Sequence, residues 1–295
     1  MCSLTIFTPT YNRGYILGRL KDSLCRQDNF DFEWLIIDDG SSDNTKELVN
    51  SWQKDKLQFP IRYYYTKNGG KPRAINLACK LANAPWLFIV DSDDYLVDNI
   101  IGFICLKLSS LSVSERIIGI GGLRGDDNNT PKHKMPFSEY VVASNLERSK
   151  FELNIDCNEV YRIDILKRFP FYVWPNENFV PEEIVLNEIS LHGYKLIWFN
   201  KVFVISHYLE DGLTKGSWKL IKQNPMGYAM LYNHKLKYQK SFASKLYSTI
   251  QFIALLFVAK NISYINQCHY RTLAYLCLPV GFLLALRRMF QFRSI

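Results

Sequence analysis

Along the first 125 positions short strand-like segments rich in apolar residues, of which 86–90 is apolar throughout, each stop at a cluster of polar, turn-forming side chains. Positions 3–10 run into Tyr11-Asn12-Arg13, positions 33–37 into Asp38-Asp39-Gly40-Ser41-Ser42-Asp43-Asn44-Thr45, and positions 86–90 into Asp91-Ser92-Asp93-Asp94. Continuous apolar runs of this length read as strands buried on both faces. Helical patterns fill the intervals at 15–27, 45–54 and 71–83, the last after a short strand at 61–65. Strands alternating with helices predict βαβ units and a parallel sheet, so the three polar clusters fall on one edge. In open α/β sheets that carboxyl edge is where ligands collect.

The cluster Asp91-Ser92-Asp93-Asp94 concentrates the chemistry, because three carboxylates so close cannot all be buried and ionised without a counter-charge. A hard divalent cation, Mn²⁺ or Mg²⁺, with a phosphate behind it supplies one. A solvated acidic turn capping the next helix needs none, and these four residues alone leave both readings open. Lys71, after the turn residues Asn68-Gly69-Gly70 at the mouth of a helix, is either a donor to phosphate or sugar or a solvated helix start.

Composition narrows the class. The chain has 295 residues, 48% of them apolar, enough for one large domain or a main domain with an appended one, and it shows no repeat or low-complexity block. Seven scattered cysteines without a Cys-x-x-Cys pair suit reduced, mostly buried thiols of a cytosolic protein. The first strand begins so close to Met1 that no signal peptide is expected. Net charge is +8, but it is uneven: residues 201–295 hold 13 Lys and Arg against two acids, a balance of +11, and the first 200 residues sum to −3. No nucleic-acid module accompanies this charge, so nucleic acid is not an expected partner and an anionic membrane surface fits better. Two uncharged stretches, 246–259 and 272–286, would make helices of about 20 Å against a hydrocarbon core of about 30 Å. They are core-facing helices or interfacial ones. The interfacial reading expects Trp218, Tyr238, Arg287 and Arg288 near the membrane surface and residues 268–295 to be removable without loss of nucleotide binding.

Four blocks carry a resemblance: Thr8-Pro9-Thr10-Tyr11-Asn12-Arg13, Ile36-Ile37-Asp38-Asp39-Gly40-Ser41-Ser42-Asp43, Asn68-Gly69-Gly70-Lys71-Pro72-Arg73-Ala74-Ile75-Asn76 and Asp91-Ser92-Asp93-Asp94. In order and spacing, over roughly residues 3–125, the chain resembles the family-two glycosyltransferases. A weaker match, Phe179-Val180-Pro181-Glu182-Glu183 with Tyr208-Leu209-Glu210-Asp211-Gly212-Leu213-Thr214, is similar to members acting in bacterial cell-surface polysaccharide assembly.

The resemblance implies an α/β fold of the GT-A type: a central, mostly parallel sheet flanked by helices in 1–215, divided into a nucleotide-sugar half (1–125) and an acceptor half (126–215). A helical basic and apolar extension, 216–295, follows. It implies a nucleotide-sugar pocket of Thr8, Pro9, Tyr11, Arg13, Asp39, Lys71, Asp91 and Ser92, and a metal held by Asp93 with Asp91. A late histidine completes the metal shell in some relatives, which makes His207 a candidate, although a lone histidine at a strand end is also an ordinary structural residue. The matching segment favours Glu182 as general base; relatives with an acidic pair whose second member is Asp point to Glu183. The expected reaction is inverting, metal-dependent transfer from a nucleoside-diphosphate sugar, UDP favoured, to a growing, lipid-linked surface glycan at the cytoplasmic face of the membrane. A sugar nucleotidyltransferase would carry a Gly-rich phosphate loop near the first strand, which residues 8–14 lack, and a catalytically silent sugar-binding protein of the same fold would not need its acids intact. The Gly-x-Gly-x-x-Gly fingerprint of dinucleotide-dependent oxidoreductases is also absent.

Overall fold

The computed structural model describes residues 3–111, 116–207 and 217–294. The alternation predicted for the first part of the chain is present as β1 (Leu4–Thr10), α1 (Leu17–Cys25), β2 (Phe32–Asp38), α2 (Thr45–Trp52), β3 (Ile61–Tyr65), α3 (Lys71–Leu81) and β4 (Trp86–Ile89). The helices end about two residues inside the predicted spans, because the flanking residues go into turns such as that of Ile16 and Leu17, whose N–H groups donate to the Arg13 carbonyl. β1 pairs in parallel with β2 and β4, and β2 with β3, giving the order β3-β2-β1-β4. β2 is buried at all seven positions, including the acids Glu33 and Asp38.

Beyond β4 the sheet becomes mixed. It is continued by β5 (Tyr95–Leu96), then, after α4 (Ile100–Ser109), by β6 (Ile117–Gly125), β7 (Tyr140–Ala143) and β8 (Cys157–Arg162). After α5 (Ile163–Arg168) and α6 (Glu183–Leu191), β9 (Lys195–Ile205) completes the described strands. β8 runs antiparallel to both β4 and β6, β6 is parallel to β9, and β5 and β7 pair antiparallel with β9. Gly121 and Gly122 let β6 pass under large aromatics, since a Cβ on either would fall 2.5 Å from the Trp198 ring or 2.2 Å from the Phe203 ring.

Of the described residues, those up to Pro170 with Asn187–His207 form one compact unit, and Phe171–Leu186 with the residues from Ser217 onward form another. The boundary expected at residue 215 is therefore corrected for one segment, 171–186. Its attachment is physical: the Glu177 carboxylate accepts the N–H groups of Met226 (2.8 Å) and Gly227 (2.7 Å) at the start of α8 (Pro225–Lys235). Asn224 Oδ1 accepts those of Asn178 and Phe179, and Val180 and Ile184 pack with Leu231.

The second unit also contains α7 (Ser217–Gln223), α9 (Phe242–Val258), α10 (Arg271–Leu276) and α11 (Leu278–Gln291). Phe252, Ile253, Ala254, Leu255 and Leu256 of α9 are buried among α8, α10 and neighbouring turns, so the apolar stretch 246–259 is a core helix and not an interfacial one. Gly281 of α11 packs so tightly that a Cβ there would lie 2.5 Å from Ile253 Cγ2. Residues 268–295 contribute Cys268, Ala274 and Cys277 to this core, so their removal would expose part of it. Arg288 is buried and donates to Gln251, and Tyr238 is half-buried, whereas Trp218 and Arg287 are exposed. No helix among the described residues is long and apolar enough to cross a membrane.

One buried side chain in the first unit acts as a helix cap from a distance. Gln27 Oε1 accepts the N–H groups of Ile100 (3.0 Å) and Ile101 (3.1 Å) at the start of α4, and its Nε2 donates to the carbonyls of Ser23 and Val97. Gln27→Ala leaves these groups buried without partners and should cost about 2–4 kcal/mol, read as a lowered midpoint in thermal or urea unfolding.

Candidate active site

Parallel pairing brings the loops after β1, β2, β3 and β4 to one edge, and backbone bonds hold them in step. Asp39 N–H donates to the Thr10 carbonyl, Thr66 N–H to the Asp38 carbonyl and Val90 N–H to the Phe7 carbonyl, each at 2.8–2.9 Å. Side chains tie the loops further. Asn12, in a left-handed conformation with φ of 52°, accepts the Ser42 N–H on its Oδ1 at 2.8 Å and donates its own N–H to Ser41 Oγ. Asp38 accepts the Tyr63 hydroxyl at 2.6 Å and the Ser41 N–H at 2.7 Å. Asp39 accepts the N–H groups of Gly69 (2.8 Å) and Gly70 (2.7 Å), and burial raises its pKa despite these bonds. Gly40, at φ of 91°, must be small, since a Cβ would meet Asn68 N at 2.8 Å.

The acidic cluster lies where β4 leaves the sheet. Asp91 pairs with Lys71 Nζ at 2.8 Å and with Arg124 Nη2 at 3.5 Å, and these two cations hold its carboxyl below the usual range against the effect of burial. Asp94, 2% exposed, faces Arg124 Nη1 at 3.3 Å, but the alignment makes no hydrogen bond to Asp94 Oδ2, and burial pushes its pKa up to about 7. Asp94 is followed by β5 and not by a helix, so the capping role open to it in the sequence is not taken. Asp93 has no ion-pair partner among the described residues, and burial with the neighbouring Asp91 charge raises its pKa. Lys71 and Arg124 thus ion-pair with Asp91 and Asp94, while Asp93 feels Arg13 and Arg124 only at longer range. Its carboxylate is the kind of oxygen donor a hard cation takes.

Arg124, the last charged residue of β6, was not singled out from sequence. The available signal was a lone guanidinium in the otherwise apolar, glycine-rich strand Ile117–Gly125.

The other predicted residues divide by exposure. Tyr11 is 50% exposed beside the half-buried Pro9, and Arg13 Nη1 donates to the Tyr15 hydroxyl at 2.9 Å. Ser92 is buried beside Asp91. Thr8 is fully buried and its Oγ1 accepts the Trp34 indole N–H at 3.0 Å, so only its backbone is left to serve a ligand edge. His207 Nε2 lies 2.9 Å from Asp127 Oδ1, and its ring stacks on Tyr95 at 6.3 Å between centroids. The described residues bring together no set of three His, Cys, Asp or Glu side chains shaped to hold a metal, so His207 does not join the acids in this structure. Glu182 and Glu183 belong to the second unit. α6 begins at Glu183, with Pro181 and Glu182 just before it, and the Glu182 carbonyl accepts the N–H groups of Val185 and Leu186. Glu183 Oε1 lies 3.4 Å from Lys235 Nζ. The block Tyr208-Leu209-Glu210-Asp211-Gly212-Leu213-Thr214 lies outside the described residues.

A parallel βαβ half extended by antiparallel strands, with acids at the carboxyl end of β4, defines a GT-A type nucleotide-sugar-binding fold. The chain belongs to glycosyl transferase family 2, whose model matches residues 5–168. It is 26% identical over 209 residues to the Staphylococcus aureus poly(ribitol-phosphate) beta-N-acetylglucosaminyltransferase TarS, a match covering 70% of this chain but 34% of that protein. It is also 26% identical over 295 residues to the Campylobacter jejuni GalNAc(5)-diNAcBac-PP-undecaprenol beta-1,3-glucosyltransferase, covering 93% of this chain and 89% of that one. Among solved structures, S. aureus TarS 1-349 in complex with UDP-GlcNAc superposes with a TM-score of 0.59 at 16% identity, over 95% of this chain and 90% of that one. The Pyrobaculum calidifontis mannosyltransferase PcManGT, solved with GDP-Man and Mn²⁺, gives 0.58 at 15% identity, over 96% and 80%.

The charge arrangement is testable without substrate. Arg124→Met removes the guanidinium from between Asp91 and Asp94 and should destabilise the protein by about 3 kcal/mol in urea unfolding. Arg124→Lys should lose less, and adding Asp94→Asn to Arg124→Met should restore part of the loss.

Proposed function

We propose that the protein moves a sugar, with inversion, from a nucleoside-diphosphate sugar to a growing, lipid-linked surface glycan at the cytoplasmic face of the membrane, where its basic C-terminal region attaches peripherally. The carrying observation is the acidic cluster after β4, in which Lys71 and Arg124 ion-pair with Asp91 and Asp94 and Asp93 makes no ion pair among the described residues. The choice of acceptor is supported by the near full-length likeness to the C. jejuni enzyme, whose name places its substrate on a PP-undecaprenol carrier. UDP is favoured as the nucleotide by the fold shared with the TarS complexes, which hold UDP-GlcNAc and UDP.

In this reading Tyr11 and Pro9 offer an aromatic face and a backbone edge to the base, while Asp39 holds the Gly69-Gly70 turn that delivers Lys71. Arg13 and Ser92 line the same edge. The acceptor hydroxyl attacks the anomeric carbon from the face opposite the diphosphate, and Glu182 takes its proton as the new C–O bond forms. The bond from the anomeric carbon to the phosphate oxygen breaks, and the electron pair leaves with the nucleoside diphosphate. Lys71 and Arg124 meet that charge. A divalent cation, Mn²⁺ or Mg²⁺, would be held by Asp93 with Asp91 beside it and would supply Lewis-acid stabilisation of the leaving group. His207, a further candidate for that shell, has its Nε2 on Asp127.

Nucleoside diphosphate release from a panel of nucleotide sugars with Mn²⁺ is the direct test. Chelation should abolish turnover, and Asp93→Asn should lose metal-dependent nucleotide binding while keeping the fold; full activity in excess EDTA would sink the metal site. Protons compete with the cation for the Asp93 carboxylate, whose pKa burial raises. Mn²⁺ affinity measured by calorimetry should therefore fall as pH is lowered through the carboxylate range.

Glu182→Gln should lower turnover by roughly 100-fold or more with donor affinity little changed. If Glu183→Gln is the crippled variant instead, the base is the neighbour.

A further inference from the structure

The second apolar stretch, 272–286, is shared by α10 and α11, and one side of α11 is committed to the core. Gly281, Ala285 and Arg288 are buried, as is Phe292 just past its end, a spacing of four, three and four that marks one stripe of a helix. The opposite side is apolar and open: Leu283 is 65% and Phe290 74% exposed, with Leu286 between them and Leu276 of α10, 73% exposed, in line. Arg287 is exposed on the flank of this stripe, and Arg271 and Arg293 are exposed at its two ends.

Charge decides what such a face suits. Residues 212–295 contain 12 Lys and Arg and not one Asp or Glu. A second copy of the chain would bring the same cations against themselves, because a two-fold contact pairs a patch with its own image. The exposed stripe offers no hydrogen-bonding side chain to orient a protein partner. Anionic lipid supplies both complements, acyl chains for the stripe and phosphates for its cationic margin. At 14 residues α11 is roughly 21 Å long, too short to span a bilayer and long enough to lie along one.

We infer that the exposed face of α10 and α11 is a membrane-docking surface, lying flat at the headgroup boundary of an anionic bilayer. Leu276, Leu283, Leu286 and Phe290 enter the acyl region, and Arg287 and Arg293 reach lipid phosphates. The inference rests on the proposed membrane-side acceptor for its purpose, but its evidence is this face alone. It assigns no lipid contact to α9 or to Arg288, which are in the core.

The test is flotation of the full chain with phosphatidylcholine vesicles, with and without phosphatidylglycerol, at low and high salt. The wild type should float with the anionic vesicles and leave a salt-resistant fraction. Leu283→Glu with Phe290→Glu should reduce binding roughly tenfold or more. Arg287→Glu with Arg293→Glu should reduce it by roughly fivefold per arginine and remove most of its salt dependence. Leu106→Glu, on the exposed side of α4, should change nothing. All of these positions are exposed, so melting curves should match the wild type. A wild type that stays free of anionic vesicles at low salt would overturn the inference. So would Leu283→Glu with Phe290→Glu binding like the wild type, or a wild-type dimer that this variant dissociates without any vesicle binding. Nucleoside diphosphate release from the donor alone, measured in parallel without lipid, reports on the transferase reading separately.

Discussion

Uneven charge compensation at the end of β4 is the constraint on which the rest of the site depends. Three carboxylates within four residues leave the sheet together, and the protein supplies two cations from distant segments, Lys71 from the start of α3 and Arg124 from β6. Both ion-pair with acids other than Asp93, which Arg13 and Arg124 reach only by longer-range attraction. Burial raises the pKa of Asp93 and Asp94. The loops that carry these groups are fixed by bonds between strand ends and by the carboxylates of Asp38 and Asp39, so the arrangement is set by the fold itself.

Much of the first half was legible in the sequence because its strands are interior and parallel. A strand buried on both faces leaves a continuous apolar run, and its end is marked when the run meets Asp38 or Asp91. The second half was less legible because its strands pair over long separations. β8 inserts between β4 and β6 although it follows both in the chain, and β6 must be glycine-rich to pass Trp198 and Phe203, which removes the β-branched pattern that would have announced it.

Some side-chain orientations could be supplied only by packing. Thr8 sits in a motif read as a nucleotide-facing edge, and strand alternation turns its hydroxyl toward the Trp34 indole. The 246–259 stretch has the composition of either an interfacial or a core helix, and it is the burial of Phe252 to Leu256 that decides for the core. The adjacent arginines at 287 and 288 read as one basic pair, yet about 100° of helical rotation sends one to solvent and the other to Gln251. Arg124 escaped notice because a single guanidinium in a strand carries no spacing to recognise.

The two bonds from Asp39 to the Gly69 and Gly70 amides have a consequence for selectivity. Helix amino ends are the usual resting place for phosphate, since their free N–H groups and the helix dipole both favour an anion. In this protein the amino end of α3 already holds a carboxylate of its own, built in from the loop after β2. On the proposed reading, a diphosphate finds these two amides taken and would be met by side chains such as Lys71 and Arg124, so selectivity among phosphorylated ligands would rest on residues that point substitution can change without disturbing the backbone.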